Sequence, residues 1–240
     1  MRRDELDGVL AFGHYGRPVL VFPAQNGNRY EWEERGMVAA VADLLDAGRV
    51  KLYCVDSWDA AIWHDEWLPL EERARRHAAY EDWLLGHVVP VIHADCAGFQ
   101  GIVTTGVSFG AFHAANLTLR RGDLFPLAIC LSGIYDVSAI GWGERGDAVY
   151  FNNPADYVAG LGGEHLDWLR SRVGLLLVVG RGMWEDSTGS LEQTHRFGAL
   201  LDGKGIRHEL DVWGEDTPHD WPSWRAQIAH HLPRCLNMNT

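Results

Sequence analysis

Short, near-continuously apolar runs recur along this chain at positions 19–22, 50–55, 101–105, 127–131, 175–179 and 208–213, and most intervals between them carry apolar residues at helical spacing. A run without polar alternation cannot leave one face in water, so these segments read as strands covered on both sides. Strands of that kind joined by helices make an α/β fold: a mostly parallel central sheet with helices on both faces. Residues 37–47, 71–90, 112–120, 190–204 and 223–232 read as helices, and 9–12 as an antiparallel edge strand.

A length of 240 residues suits one domain over 1–240, and no repeat or Pro/Gly/Ser-rich linker argues for a split. No large separate lid is expected. The longest stretch without periodicity, 134–163, leaves the C-terminal end of a strand. Open α/β sheets place ligands there, so this stretch is expected to wall a site. A formal charge of −12 works against nucleic acid and anionic membrane as partners, and no run approaches the ~20 apolar residues of a bilayer span. The first residues lack the apolar core of a secretory signal. Cys54, Cys96, Cys130 and Cys235 are far apart, which fits reduced thiols. Together these favour a cytoplasmic location; a homo-oligomer is compatible with all of it.

Chemistry enters at Gly106-Val107-Ser108-Phe109-Gly110, a G-x-S-x-G sequence lying between a strand (GIVTT) and a helix (AFHAANLTLR). Glycines on either side of a serine permit a tight strand-to-helix turn that lifts the hydroxyl above the sheet, the nucleophile elbow of α/β-hydrolases. The competing reading makes Ser108 a helix cap. A serine hydroxyl is a weak nucleophile until a base takes its proton, so the elbow demands a histidine. Of twelve histidines, His219 lies in the loop that follows the last strand and precedes the last helix, where this fold carries its base.

The acid should follow the strand at 175–179, and that loop offers two adjacent carboxylates, Glu185 and Asp186. Glu185 is favoured, with Asp186 as the alternative or as a helix cap. Two backbone donors are needed for a tetrahedral intermediate. The N–H of Phe109 is the first, and the N–H of Gln25, in the loop after strand 19–22, the second. Histidine spacing gives no metal-site pattern, so neither metal nor cofactor is expected. Trp58, Trp63, Trp67, Trp142, Trp184 and Trp221 fall in loops near strand ends, where indoles either line a cleft or pack the core.

With these loops placed, the chain resembles the Putative esterase family of α/β-hydrolases, which includes S-formylglutathione hydrolases and feruloyl esterases. The segments carrying the resemblance are VLVFPAQNGN, CVDSWDAAIWHDEW, GVSFG, VYFNNPADY, GRGMWED and HDWPSWR. The resemblance is to a compact branch with Trp-Glu after the acid strand and His-Asp-Trp around the base. It implies a Ser108, Glu185, His219 triad and hydrolysis of a small-molecule carboxylic ester. Pro23-Ala24 stands where relatives commonly have His-Gly, and Ala111 where many have glycine, so no relative's substrate is carried over. An acyltransferase or thioesterase would use the same triad, and a non-catalytic binding module would keep only the fold.

Overall fold

The structure, a computed structural model, describes residues 2–96 and 98–236. Among them the strands are β1 (Arg3–Leu6), β2 (Val9–Phe12), β3 (Arg17–Phe22), β4 (Val50–Cys54), β5 (Val103–Val107), β6 (Leu127–Leu131), β7 (Gly174–Val179) and β8 (His208–Val212). They form one sheet in the order β1-β2-β4-β3-β5-β6-β7-β8. The β1–β2 and β2–β4 pairs are antiparallel and all others parallel. This is the α/β-hydrolase architecture, and the expected antiparallel strand at 9–12 is present.

The apolar runs divide their residues between two cores with a period of two. Leu20 and Phe22 of β3, Ala128 and Cys130 of β6, and Leu175 and Leu177 of β7 face one core. Val19 and Val21, Ile129 and Leu131, and Leu176 and Val178 face the other. Helices α1 (Glu31–Glu34), α2 (Met37–Ala40), α3 (Ala42–Asp46) and α11 (Trp221–Cys235) cover the second face. The first is covered by α4 (Leu70–Trp83), α5 (Val89–Asp95), α6 (Phe109–Arg120), α7 (Asp147–Asn152), α8 (Pro154–Gly160), α9 (Gly163–Arg172) and α10 (Ser190–Lys204). Both faces of β2 to β7 are thereby removed from water, while β1 and β8 at the two ends stay partly exposed.

Several elements differ from the reading of the sequence. Stretch 134–163 is not irregular: it holds a 3₁₀ turn at Val137–Ile140 and then α7 and α8. Each is too short to display a helical period. The helix read at 71–90 runs through a π-turn at Leu84–Val88 into α5, and this irregular turn lies where Pro90 withholds a helical N–H. The helix read at 37–47 breaks at Val41 into α2 and α3. Strand β1 went unread although Asp7-Gly8 marks its hairpin; both residues take positive φ, 48° and 84°, as a type I′ turn requires. Among the described residues no helix is long and apolar enough to cross a membrane.

One topological fact positions the site. From β3 the chain moves outward to β4, and from β5 it moves the opposite way to β6, so the strand order reverses between β3 and β5. Such a reversal leaves a crevice at the strands' C-terminal ends. Phe22 pairs with Gly106 across it, so the loop after β3 and the turn after β5 emerge side by side.

Candidate active site

Ser108 sits at that turn with φ 53° and ψ −122°, a left-handed conformation that costs a non-glycine residue ~1–2 kcal/mol. Contacts on both sides enforce it. A Cβ on Gly106 would lie 2.3 Å from the backbone of Gly110, and one on Gly110 would lie 2.2 Å from the carbonyl oxygen of Pro23. Only glycine at both places lets β5, α6 and the β3 loop meet. The hydroxyl makes no capping bond to α6, contrary to the helix-cap reading of Ser108. Instead Ser108 Oγ lies 3.0 Å from His219 Nε2, and His219 Nδ1 lies 3.0 Å from Glu185 Oε2.

The structure thus brings Ser108, His219 and Glu185 into one hydrogen-bonded line, from three loops at the same sheet edge. Asp186 is not part of it; its side chain is exposed, and α10 takes Gly189 as N-cap, so Asp186 does not cap that helix either. Glu185 is fully buried. A carboxylate there needs donors on its second oxygen, and Oε1 accepts from Ser132 Oγ at 2.6 Å and from the Gly180 N–H at 3.2 Å. Ser132 Oγ in turn accepts the indole N–H of Trp224 at 3.0 Å. The Trp224 ring stands edge-on to His219, centroids 5.0 Å apart. Its indole therefore touches the histidine and, through Ser132, the carboxylate.

The loops bearing Glu185 and His219 are laced together by main-chain bonds: Arg181 N–H to Gly214 O, Gly182 N–H to Thr217 O, and His219 N–H to Met183 O, at 3.1, 2.9 and 2.9 Å. Glycines make this approach possible. A Cβ on Gly180 would fall 2.0 Å from Thr217 O, and one on Gly182 would fall 2.6 Å from Pro218 N. Asp220 caps α11 through the N–H of Trp221 and so shapes the loop after His219.

Phe109 opens α6, where the first N–H groups have no helical acceptor. Its side chain is buried against His64, Phe112 and His113, with centroids 4.9, 5.0 and 5.5 Å away. In the β3 loop, the Ala24 N–H is taken by Glu31 Oε2 at 2.8 Å and the Gly27 N–H by Ala24 O at 2.9 Å. Among the described residues the N–H groups of Phe109 and Gln25 have no acceptor. Burial raises the pKa of Glu31. Burial also lowers that of His64, so the ring beside Phe109 favours its neutral form.

Ser132, Trp224, Glu31, Gly180 and Gly182 were not singled out in the sequence. Only the G-x-G spacing at 180–182 offered a signal. Of the loop tryptophans, Trp63 is buried in the core and Trp58 stacks on Trp83, whereas Trp67, Trp142 and Trp184 are more than half exposed. Among the described residues no group of three or more His, Cys, Asp or Glu side chains could hold a metal ion.

The fold defines the class, an α/β-hydrolase, with the Gly106–Gly110 turn at the topological switch point. A model of the Putative esterase family matches residues 21–235, and the chain belongs to that family. Membership supports ester hydrolysis as its chemistry. No curated protein matches the chain in sequence. Among solved structures it is similar to a ferulic acid esterase (TM-score 0.71, 19% identity, covering 94% of this chain and 90% of that one). It is also similar to an S-formylglutathione hydrolase from Agrobacterium tumefaciens (0.68, 14%, 98% and 93%) and to MPT51 of Mycobacterium tuberculosis (0.67, 15%, 95% and 91%). At these identities the likeness is one of fold.

Proposed function

We propose that the protein is a serine esterase that cleaves a small-molecule carboxylic ester through an acyl-enzyme. The observation that carries this reading is the line from Ser108 through His219 to Glu185, each link 3.0 Å. Ser108 Oγ attacks the carbonyl carbon while His219 Nε2 takes its proton. The imidazolium so formed is held by the Glu185 carboxylate, whose other oxygen is committed to Ser132 and Gly180. Charge develops on the former carbonyl oxygen, and the free N–H groups of Phe109 and Gln25 are the donors that receive it. Collapse of the intermediate expels the alkoxide, which leaves with the proton from Nε2. Water then enters, gives a proton to His219, attacks the acyl carbon, and releases the acid as the proton returns to Ser108.

The test is covalent labelling by a fluorophosphonate, read by mass spectrometry of the intact protein. Wild type takes up one adduct; Ser108→Ala takes none, and His219→Ala reacts slower by several orders of magnitude. An unlabelled, folded wild type overturns the reading.

A further inference from the structure

Residues 182–185 form a tight turn closed by the Glu185 N–H on Gly182 O at 3.3 Å. Its third residue, Trp184, has φ 71°, while Met183 before it keeps a negative φ. This is the type II arrangement, whose third position belongs to glycine or asparagine. Tryptophan there carries backbone strain that either of those would relieve. The turn is held in that shape through its backbone, the Trp184 carbonyl accepting from the Thr188 N–H and Oγ1 at 3.0 and 2.7 Å, and not through the indole. The Trp184 ring is 52% exposed, and among the described residues it makes no ring-to-ring contact and no side-chain hydrogen bond. A strained backbone under an unpacked indole points to a role outside folding.

The position of the turn says which role. Trp184 is flanked by two residues that hold His219: Met183, whose carbonyl accepts the His219 N–H at 2.9 Å, and Glu185, 3.0 Å from Nδ1. Met183 is itself 64% exposed, so the turn that holds the histidine carries two exposed apolar side chains in succession. In the reaction proposed above, Nε2 delivers its proton to the departing alkoxide. The group carried by that oxygen must therefore pass the histidine, whereas the acyl carbonyl turns toward Phe109 and Gln25.

We propose that Trp184, seconded by Met183, is the specificity-determining residue for the alcohol part of the ester, and selects bulky, ring-bearing alcohols by stacking. The inference rests on the serine-esterase reading. It predicts that discrimination lies in acylation, where the alcohol is still attached, and vanishes in deacylation, where it has gone.

The experiment compares two esters with the same acyl group, 2-naphthyl acetate and ethyl acetate, on wild type, Trp184→Phe and Trp184→Gly. Binding of 2-naphthol alone is measured by calorimetry on the same proteins. In Trp184→Gly, kcat/KM for the naphthyl ester falls about tenfold, the fold-change of an aromatic contact of ordinary strength. Ethyl acetate is unaffected, naphthol binding weakens in parallel, and the unfolding midpoint rises because strain is relieved. Trp184→Phe retains most of the preference. Equal losses on both esters would mean that Trp184 acts only by holding Glu185, and would overturn the proposal, as would no loss on either. Should wild type hydrolyse neither ester yet bind naphthol through Trp184, the esterase reading fails while the ring-binding role of Trp184 stands; no naphthol binding by wild type overturns that role itself.

Discussion

Replacing Ser132 by alanine removes one oxygen on which two other side chains depend. Its hydroxyl donates to the buried Glu185 and accepts from Trp224, at 2.6 and 3.0 Å, and no water can substitute where Ser132, like Glu185, is fully buried. A hydrogen bond to a charged group contributes about 1.5–3 kcal/mol, and an orphaned buried donor costs a further 1–3. The two overlap because they share one atom, so the expected loss of stability is about 3 kcal/mol. Serine and alanine are close in volume, so no cavity adds to this, and both suffer the same positive φ of 49°. Ser132→Gly provides an internal check: it loses the same bonds but escapes the strain, and should be more stable than Ser132→Ala by about 1 kcal/mol. Urea unfolding at unchanged m-value measures both. Activity on 2-naphthyl acetate should fall about tenfold in kcat with KM unchanged, because Glu185 and the Trp224 ring no longer fix the imidazole as tightly. A loss below about 1 kcal/mol for the alanine variant would refute the argument that the hydroxyl holds this network together.

Three further outcomes are expected. Glu185→Gln should lower kcat by about 10³–10⁴, the scale on which a triad acid acts, whereas Asp186→Ala, exposed and turned away, should stay within about twofold; steady-state kinetics on both decides between the neighbouring carboxylates. Glu31→Ala should loosen the loop bearing the Gln25 N–H and lower kcat by about tenfold or more at constant KM, approaching the loss of one oxyanion donor, and Glu31→Gln, which keeps an acceptor for the Ala24 N–H, should restore most of it. His77 accepts the Trp63 indole N–H on Nδ1 at 3.2 Å, and burial, then His113 and Arg120, push its pKa well below the usual value. The unfolded chain takes up that proton near pH 6.5 and the folded one does not, so its contribution is complete above about pH 6.5 and is lost as pH falls below it. Urea unfolding at pH 7 and pH 5 should show a loss of about 1–2 kcal/mol that shrinks in His77→Gln.

How much of this was legible in the sequence follows from the range of each interaction. The parallel sheet could be read because burial on both faces leaves an unbroken apolar run in each central strand, as in LLLVV of β7. The elbow could be read because the two glycines and the serine fall within five residues, although the contact that requires Gly110 comes from Pro23, far off in the chain. The base was marked by its place after the last strand. The choice between Glu185 and Asp186 was not fully decidable, since it turns on the fold-back at 182–185 and on a loop some thirty residues further along. Ser132 and Trp224 lie 92 residues apart, and neither type nor spacing announces that they meet. Helices α7 and α8 escaped because an element of six or seven residues shows barely two turns of period. Strand β1 was missed for no such reason: Asp7-Gly8 was there to be read.

The place of β8 has a consequence for how the protein fails. It pairs with β7 alone, forms one end of the sheet, and leaves its residues exposed or only half-buried, while the loop it launches carries His219. Outermost strands open in local fluctuations that leave the rest of a structure intact. The amides of β8 and of residues 213–220 should therefore exchange with deuterium ahead of those of β5 and β6. On mild heating the histidine should part from the serine before the sheet melts, so that inactivation precedes unfolding and reverses on cooling.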